Sequence, residues 1–261
     1  RIMGQSTLKI FLLYNFQNME WLIRAEFIMG SILKIGVIES YPNSQIALDS
    51  AFKYANYLNK IWYKFYDNFV GNNDTLIVEE ETDEILDSSL KYIQITDSLF
   101  NPFYKSKNLF PIKISKNQWF FPKGIVIDLG GIAKGYLVDK IRDIILSFGI
   151  DTFFINFGSS SIYSHNYELN LYDETFGNFK IKNKAISISS TIRPVEKTYH
   201  IYNPKRQKFV KEKRKVLLIC DNATSCDALS KAIIINPKLK EKFKWIEIKV
   251  YSGKKTNCFA K

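Results

Sequence analysis

Residues 124–139 read GIVIDLGGIAKGYLVD and combine an apolar run, a pair of glycines and the start of a helical pattern. The run from Gly124 to Asp128 predicts a buried strand, and the glycines at 130 and 131 allow a tight turn. Apolar residues recur at helical spacing over residues 131–148, which predicts a helix that stops at Gly149. A helix that starts directly after a strand points backbone N–H groups and a positive dipole end at any anion, so this segment suits a phosphate.

Two interpretations of this turn stay open from the residues alone. Gly130 and Gly135 have the first spacing of a Walker loop, but Tyr136 stands where that loop requires lysine, and the G-x-G-x-x-G pattern is absent. The segment is either a phosphate cradle of another kind or an ordinary strand-to-helix turn whose glycines serve packing. In the second interpretation, Asp128 only caps the helix.

Related patterns run through the rest of the chain. Alternating and β-branched runs predict further strands over residues 32–38, 152–157, 185–189, 215–220 and 245–251. Helical spacing predicts two further helices, over residues 44–65 and 82–95. No repeat and no Pro/Gly/Ser-rich linker divides the sequence, and strands and helices mix without a strict βαβ rhythm. We therefore predict an α+β fold built as a single domain.

The composition is that of a folded domain. Of the 261 residues, 46% are hydrophobic and 15% aromatic, which excludes a disordered or a fibrous chain. The longest uncharged apolar runs, such as residues 10–16, are much shorter than the ~20 residues that a membrane helix needs. We expect no transmembrane segment. The first residues show neither a secretory signal nor a cysteine that would carry a lipid.

The charge is positive and unevenly distributed. The chain has 37 Lys and Arg against 26 Asp and Glu, a net charge of +11. Residues 205–215 hold seven of the cations against the single acid Glu212, whereas residues 79–84 are acidic. The basic segment either meets phosphates or is a solvated loop. No nucleic-acid-binding motif accompanies it, so we do not expect a nucleic acid as partner.

The three cysteines give a weaker signal. Cys220, Cys226 and Cys258 are odd in number and lack C-x-x-C spacing. This pattern predicts free, semi-buried thiols and argues against a disulfide framework and a thiolate zinc site.

The segment around the paired glycines resembles the signature of the ApbE-type flavin transferases, through residues 128–136, Asp139 and residues 154–158. Further blocks similar to those of the family follow in the same order: residues 27–31 (FIMGS), 63–67 (YKFYD), 96–102 (TDSLFNP) and 224–232 (TSCDALSKA), with a weaker match at residues 200–205 (HIYNPK). The resemblance assigns residues 27–261 to an ApbE-like flavin transferase domain and leaves residues 1–26 as an N-terminal extension of unknown role.

In that family, the FAD pyrophosphate is cleaved and FMN is joined through its phosphate to a threonine of a target protein, with magnesium assisting. The resemblance therefore implies an ApbE-like fold with a central flavin cleft, FAD as substrate, Mg²⁺ as cofactor, and a flavin-acceptor protein as partner. Relatives are often exported lipoproteins, which implies an extracytoplasmic, membrane-associated protein. No signal or lipobox is visible, so the cytoplasm is the alternative.

The resemblance also implies a set of site residues. The catalytic roles fall on Asp227, Lys134 and Lys231. The expected flavin contacts are Met29, Tyr66, Leu99, Phe100, Asn101, Asp128, Gly130, Gly131, Lys134 and His200. The expected metal ligands are the backbone carbonyl of Ala133 and the carboxylate of Asp227.

The chain departs from the family where the metal is held. Lys231 stands at the position of a threonine ligand, and Mg²⁺ takes oxygen ligands near ~2.1 Å, so an ammonium group cannot be one. Either Lys231 places its own cation where the metal would sit, or drift has changed a residue that the reaction tolerates. Asn101 and Asn203 likewise replace two acids of the family, which makes the site more positive.

Two other functions stay open from the sequence. One is a non-catalytic FAD-binding pseudoenzyme that keeps the phosphate cradle without the metal site. The other is an FAD pyrophosphatase, in which water replaces the acceptor threonine and the products are FMN and AMP. No nucleophile, histidine and acid stand at the spacing of a hydrolytic triad.

Overall fold

The structure, a computed structural model, describes residues 11–13, 19–67, 69–106, 108–193 and 197–253, with the backbone alone at residues 11–13 and 64–67. The helices are Ser44–Asp67 (α1), Glu80–Ile95 (α2), Ala133–Ser147 (α3) and Ala223–Ile235 (α4). The strands are Phe11–Leu13 (β1), Trp21–Ile28 (β2), Ser31–Ile38 (β3), Asp74–Ile77 (β4), Ile112–Ser115 (β5), Gln118–Phe121 (β6), Phe153–Phe157 (β7), Ser161–His165 (β8), Leu169–Asp173 (β9), Gly177–Ile181 (β10), Lys184–Ser190 (β11), Tyr202–Asn203 (β12), Lys208–Phe209 (β13), Arg214–Cys220 (β14) and Glu247–Ser252 (β15).

Seven strands form the central sheet, in the order β15-β14-β11-β8-β7-β3-β2, and every neighbouring pair is antiparallel. Helices α1, α3 and α4 pack on one face around a core that includes Trp62, Leu137 and Ile155. A second core lies on the opposite face, between the central sheet and the small sheet β1-β9-β10. It contains Phe154 from β7 of the central sheet and Leu171 from β9 of the small sheet. Because both faces are covered, all five residues of β7 are buried. The predicted α+β fold is confirmed.

The sheet extends N-terminally beyond the first block that resembles the family. Strand β2 pairs with β3 along its whole length, from Trp21 to Ile28. The boundary at residue 27 that the resemblance implies therefore falls inside a strand.

The predicted strand at residues 124–128 is wrong. This segment is extended but pairs with a neighbour only through the isolated bridge between Val126 and Val70. Its backbone groups are satisfied by loops instead: Ser106 Oγ donates to the Val126 carbonyl and accepts from the Val126 N–H, at 2.9 and 2.7 Å. A buried apolar run needs partners for its backbone, and loop groups meet that need here without a ladder.

The three helices predicted from apolar spacing are confirmed, with α3 preceded by a 3-10 turn at Leu129–Gly131. Helix α4 is not among them. Ten of its thirteen residues are buried, Asp227 and Ser230 among them, so the apolar residues are not confined to a narrow stripe at helical spacing. Among the described residues, no helix combines the length and the apolar character needed to cross a bilayer.

Helix α3 holds the first turn of α4 through Asp139. One carboxylate oxygen accepts the N–H of Ala223 and the other accepts the N–H of Thr224, both at 2.8 Å, and Thr224 Oγ adds a third bond. These groups are among the N–H donors that a helix start leaves without intrahelical partners. Desolvation nevertheless raises the pKa of Asp139, because the hydrogen bonds offset only part of the cost of burial.

Gly135 lets the two helices approach. A Cβ at this position would lie 2.3 Å from the carbonyl oxygen of Ala223 and 2.9 Å from Asp227 Cβ. Only glycine therefore fits between α3 and the first turns of α4, and its own N–H donates to Asp227 Oδ2 at 3.2 Å.

The prediction of free thiols is wrong for two of the three cysteines. Cys220, at the end of β14, and Cys226, in the first turn of α4, form a disulfide with a Cα–Cα distance of 5.7 Å. The chain passes from strand to helix within residues 221–222, which brings the two side chains together although they are six positions apart. Cys258 lies outside the described residues.

We expect Asp139→Ala to lower the free energy of unfolding by roughly 1–3 kcal/mol, because it removes one acceptor from several buried donors. Urea denaturation followed by circular dichroism measures this. The matched control is Asp143→Ala on the same helix, an exposed acid that pairs with Arg142 at 2.9 Å, for which we expect a change within about 0.5 kcal/mol. Equal effects of the two substitutions would contradict the capping role.

Candidate active site

A central cleft of about 230 Å³ opens beside the N-terminal end of α3. Three loop segments and the C-terminal half of α4 form its wall. The lining residues are Leu99, Phe100, Asn101, Pro102, Tyr104, Asp128, Gly130, Gly131, Arg193, His200, Ile201, Tyr202, Pro204, Lys231 and Ile235.

Asp128 shapes the turn at one side of the cleft. Its Oδ1 accepts the N–H of Gly130 at 3.1 Å, and its Oδ2 accepts the hydroxyl of Tyr104 at 3.1 Å and faces Lys105 Nζ at 3.4 Å. Burial and the charge of Asp128 raise the pKa of Tyr104, so its hydroxyl stays protonated and donates. Asp128 thus caps the 3-10 turn, as one of the two interpretations of the sequence predicts.

Gly131 brings the turn into contact with α4. A Cβ at this position would lie 3.3 Å from the ring of Phe100 and 3.4 Å from Cγ of Lys231. The stem of Lys231 therefore passes directly over the backbone of the turn, and the paired glycines and Lys231 line the cleft together.

Lys231 and Asp227 form a buried ion pair one helical turn apart. Lys231 Nζ lies 3.0 Å from Asp227 Oδ1 and donates to Ser189 Oγ at 2.7 Å. The Asp227 side chain is 1% exposed and that of Lys231 is 22% exposed. The carboxylate is shielded from water, whereas the amine still borders the cleft.

Lys134 lies on the other side of Asp227. Its Nζ donates to Ser160 Oγ, which follows β7 in the chain. Burial lowers the pKa of Lys134, the Asp227 carboxylate raises it, and the nearby Lys231 lowers it again. The three predicted catalytic residues, Asp227, Lys134 and Lys231, are thus brought together as two amines around one carboxylate.

The predicted flavin contacts are distributed unequally. Leu99, Phe100, Asn101, Asp128, Gly130, Gly131 and His200 line the cleft, whereas Lys134 stands behind it beside Asp227. Met29 lies in the turn between β2 and β3, with a φ of 46°, and donates its N–H to Asn59 Oδ1 at 3.1 Å. Tyr66 belongs to the last turn of α1, but its side chain is not among those described.

The two asparagines that replace acids keep the shape of their loops. Asn101 Oδ1 accepts the N–H of Phe103 at 2.8 Å, and Asn203 Oδ1 accepts the N–H of Arg206 at 3.1 Å. An amide oxygen accepts these turn hydrogen bonds as a carboxylate does. The substitutions therefore preserve the turns and remove two negative charges from the region.

Several residues of this site escape sequence reasoning. Ser160 and Ser189 bind the two lysines, Tyr104 binds Asp128, and Tyr202 and Arg193 line the cleft. Ser189 lies 42 positions from Lys231, and Ser160 lies 26 positions from Lys134. No local pattern connects residues so far apart.

The residues present do not fit a magnesium ion. Magnesium takes oxygen ligands, but an ammonium group stands at the position that the family pattern gives to a threonine hydroxyl. Of the expected ligands, Asp227 Oδ1 is already bound by the ammonium group of Lys231, which Ser189 holds in place. We derive no chemical step from a metal.

A second cavity, of about 630 Å³, adjoins the central cleft and shares Leu99 and Ile235 with it. We call it the basic cavity, because its charged lining consists of Lys205, Arg206, Lys208, Lys211, Arg214 and Lys238 against Glu212 alone. Lys205 pairs with Asp97, and Arg214 donates to the carbonyls of Ile234 and Ile235. The other four cations form no ion pair with a described residue.

Comparisons with known proteins bear on the fold and the family. A model of the ApbE family matches residues 108–251, more than half of the chain. No curated protein sequence matches the chain significantly.

Solved structures of flavin transferases share the fold. An ApbE protein of Thermotoga maritima has a TM-score of 0.76 at 20% identity, covering 89% of this chain and 94% of its own. The flavin transferase ApbE of Vibrio cholerae has a TM-score of 0.73 at 14% identity, with 90% and 98% covered. The flavinyl transferase ApbE of Pseudomonas stutzeri, in its apo form, has a TM-score of 0.73 at 14% identity, with 90% and 95% covered.

Proposed function

The chain belongs to the ApbE family, and on that premise we propose that it is an FAD:protein FMN transferase. The reaction cleaves the pyrophosphate of FAD and attaches FMN through a phosphoester bond to a threonine of an acceptor protein. The observation that carries the proposal is that the glycine turn and Lys231 lie in contact and line the same cleft. A diphosphate in this position meets the start of a helix on one side and an ammonium group on the other.

The size of the site supports a dinucleotide as substrate. The central cleft alone, at about 230 Å³, is smaller than the ~300–1,000 Å³ usual for small-molecule sites. The basic cavity adds about 630 Å³ and shares two lining residues with the cleft. Together they offer room for a dinucleotide next to the shared residues Leu99 and Ile235, and the exposed cations of the basic cavity stay available to a second partner.

The proposed step is an in-line displacement at the FMN phosphorus. The threonine oxygen forms a bond to this phosphorus while the bridging P–O bond breaks, and AMP departs with the threonine proton on its phosphate. The Asp227 carboxylate is buried and bound by Lys231, so its role is to hold that amine in place. Charge builds on the departing phosphate oxygens, and Lys231, which lines the cleft, is placed to stabilise it, with the charge of Lys134 adding to the positive field. Phe100 and His200 line the cleft where the flavin ring is expected to pack.

We also propose that the protein works outside the cytoplasm. The Cys220–Cys226 disulfide supports this placement, because disulfides persist in oxidising compartments and are rare in the cytosol. Alkylation of thiols in intact cells, before and after reduction, tests it. A chain whose two cysteines react without prior reduction would place the protein in the cytoplasm.

The proposed activity predicts a covalent product. Purified protein incubated with FAD, with and without magnesium, and with a threonine-bearing acceptor domain should yield a fluorescent acceptor band on a denaturing gel. The control is the same acceptor with the threonine changed to valine, which should stay dark. A yellow protein that transfers nothing would identify the non-catalytic binder, and AMP release without a labelled band would identify the pyrophosphatase.

The charge of the basic cavity supports an acidic segment on the acceptor protein. The four cations that pair with no described residue lie beside the cleft, where an acceptor must approach to place its threonine. Complementary charges guide such encounters and fix their orientation.

We expect the double substitution Arg206→Glu/Lys208→Glu to raise the KM for the acceptor about tenfold, because like charges facing each other oppose the encounter. The affinity for FAD, measured by fluorescence quenching, should change much less. The matched control is Lys53→Glu/Lys60→Glu, which reverses two exposed lysines on α1 and should leave the KM unchanged. Equal effects of the two double variants would exclude docking at the basic cavity.

A further inference from the structure

The oxygen atoms around Lys231 are arranged for an ammonium ion. Lys231 Nζ has Ser189 Oγ at 2.7 Å, Asp227 Oδ1 at 3.0 Å and Ser230 Oγ at 3.4 Å. These are hydrogen-bond distances, longer than the ~2.1 Å contacts of magnesium. The contacts with Ser189 and Asp227 are ordinary hydrogen bonds and the one with Ser230 is long, so the third N–H of the ammonium group can turn to a phosphate oxygen.

Three local features hold the amine in this position. Lys231 follows Asp227 by four residues, so both side chains project from the same face of α4. The absence of a side chain on Gly131 leaves space for the lysine stem. Ser189 fixes the amine from the central sheet, because it lies in β11 and not on the helix.

The negative charge of Asp227 is already balanced by lysine amines, without a metal ion. Asp227 is the only carboxylate in the set, and the amines of Lys231 and Lys134 lie near it. A divalent cation would have to displace Lys231 from Asp227 and then stand close to two positive groups. Both the loss of the buried ion pair and the repulsion oppose its binding.

We propose that Lys231 is a built-in cation that replaces the metal in this protein, an inference that rests on the proposed function for its substrate. Its ammonium group holds the FAD diphosphate and stabilises the charge that builds on the departing phosphate oxygens. Lys231 stays protonated and donates hydrogen bonds throughout, while the threonine oxygen bonds to the FMN phosphorus and AMP leaves. The protein therefore binds and processes FAD without a divalent ion.

The first test measures metal binding without flavin or acceptor. Mn²⁺ serves as the probe, since it takes the oxygen ligands that magnesium takes and its free ion is counted by electron paramagnetic resonance. We expect wild-type protein to bind no stoichiometric Mn²⁺ and Lys231→Thr to bind one ion through the restored hydroxyl. One tightly bound Mn²⁺ in the wild type, displaced by magnesium, would overturn the proposal.

The second test measures the affinity for FAD in excess EDTA and in magnesium. Wild-type affinity should be the same in both, whereas Lys231→Met should weaken binding roughly tenfold to a hundredfold, as expected for losing a charge-assisted hydrogen bond. Lys231→Arg keeps the cation and should retain most of the affinity. The control Lys140→Met removes a lysine that pairs with Glu84 away from the cleft and should have no effect.

The outcomes separate the built-in cation from the proposed function. Loss of wild-type FAD binding in EDTA, or equal affinities of wild type and a folded Lys231→Met, would overturn the role of Lys231. Thermal denaturation shows which variants are folded, and Lys231→Arg decides the question where Lys231→Met does not fold. Failure of wild-type protein to bind FAD at all would refute the proposed function, and the Mn²⁺ titration would still decide whether Lys231 excludes the metal.

Discussion

The site depends on the contact between α3 and the first turns of α4. Asp139 caps α4 from the neighbouring helix, and Gly135 removes the side chain that would keep the helices apart. This contact places Asp227 against the N–H of Gly135 and, one turn later, Lys231 over the glycine turn. Gly131, in the glycine turn, and Lys231 are 100 positions apart in the sequence. Their distance in space is therefore set by the packing of α3 against α4 and not by a connecting loop.

Once Asp227 is buried, its charge has to be balanced inside the protein. The family pattern balances this position with a metal ion, and in this chain the amines of Lys231 and Lys134 do so. The replacement is accompanied by others of the same sign, since Asn101 and Asn203 keep their turn hydrogen bonds without a carboxylate charge. Compared with the family pattern, the site therefore carries less negative charge, and amide oxygens hold its two turns.

The role of the basic segment, residues 205–215, can be inferred only from its position in the fold. In the sequence it is either a solvated loop, the commoner explanation, or a phosphate contact, but β12, β13 and the start of β14 carry it to the wall of a cavity that adjoins the cleft. Lys205 pairs with Asp97, and Arg214 donates to the carbonyls of Ile234 and Ile235. The remaining cations of the basic cavity are exposed beside the central cleft. Such a surface suits a partner that must bring one residue to the cleft and then leave, because exposed charges speed encounters without adding much affinity.

The sequence by itself determined the features that rest on local patterns: three helices, five of the strands, the α+β class and the ordered blocks that mark the family. These follow from periodicity and from short runs of residues, which are visible without knowledge of the fold. Tertiary structure decided the remainder. Helix α4 is buried on most sides and so lacks a narrow apolar stripe, residues 124–128 find loop partners instead of a strand, and the disulfide forms because a strand turns directly into a helix. The partners of Lys134 and Lys231 are serines from the central sheet, and only the packing of α3 and α4 on that sheet brings them within hydrogen-bond distance.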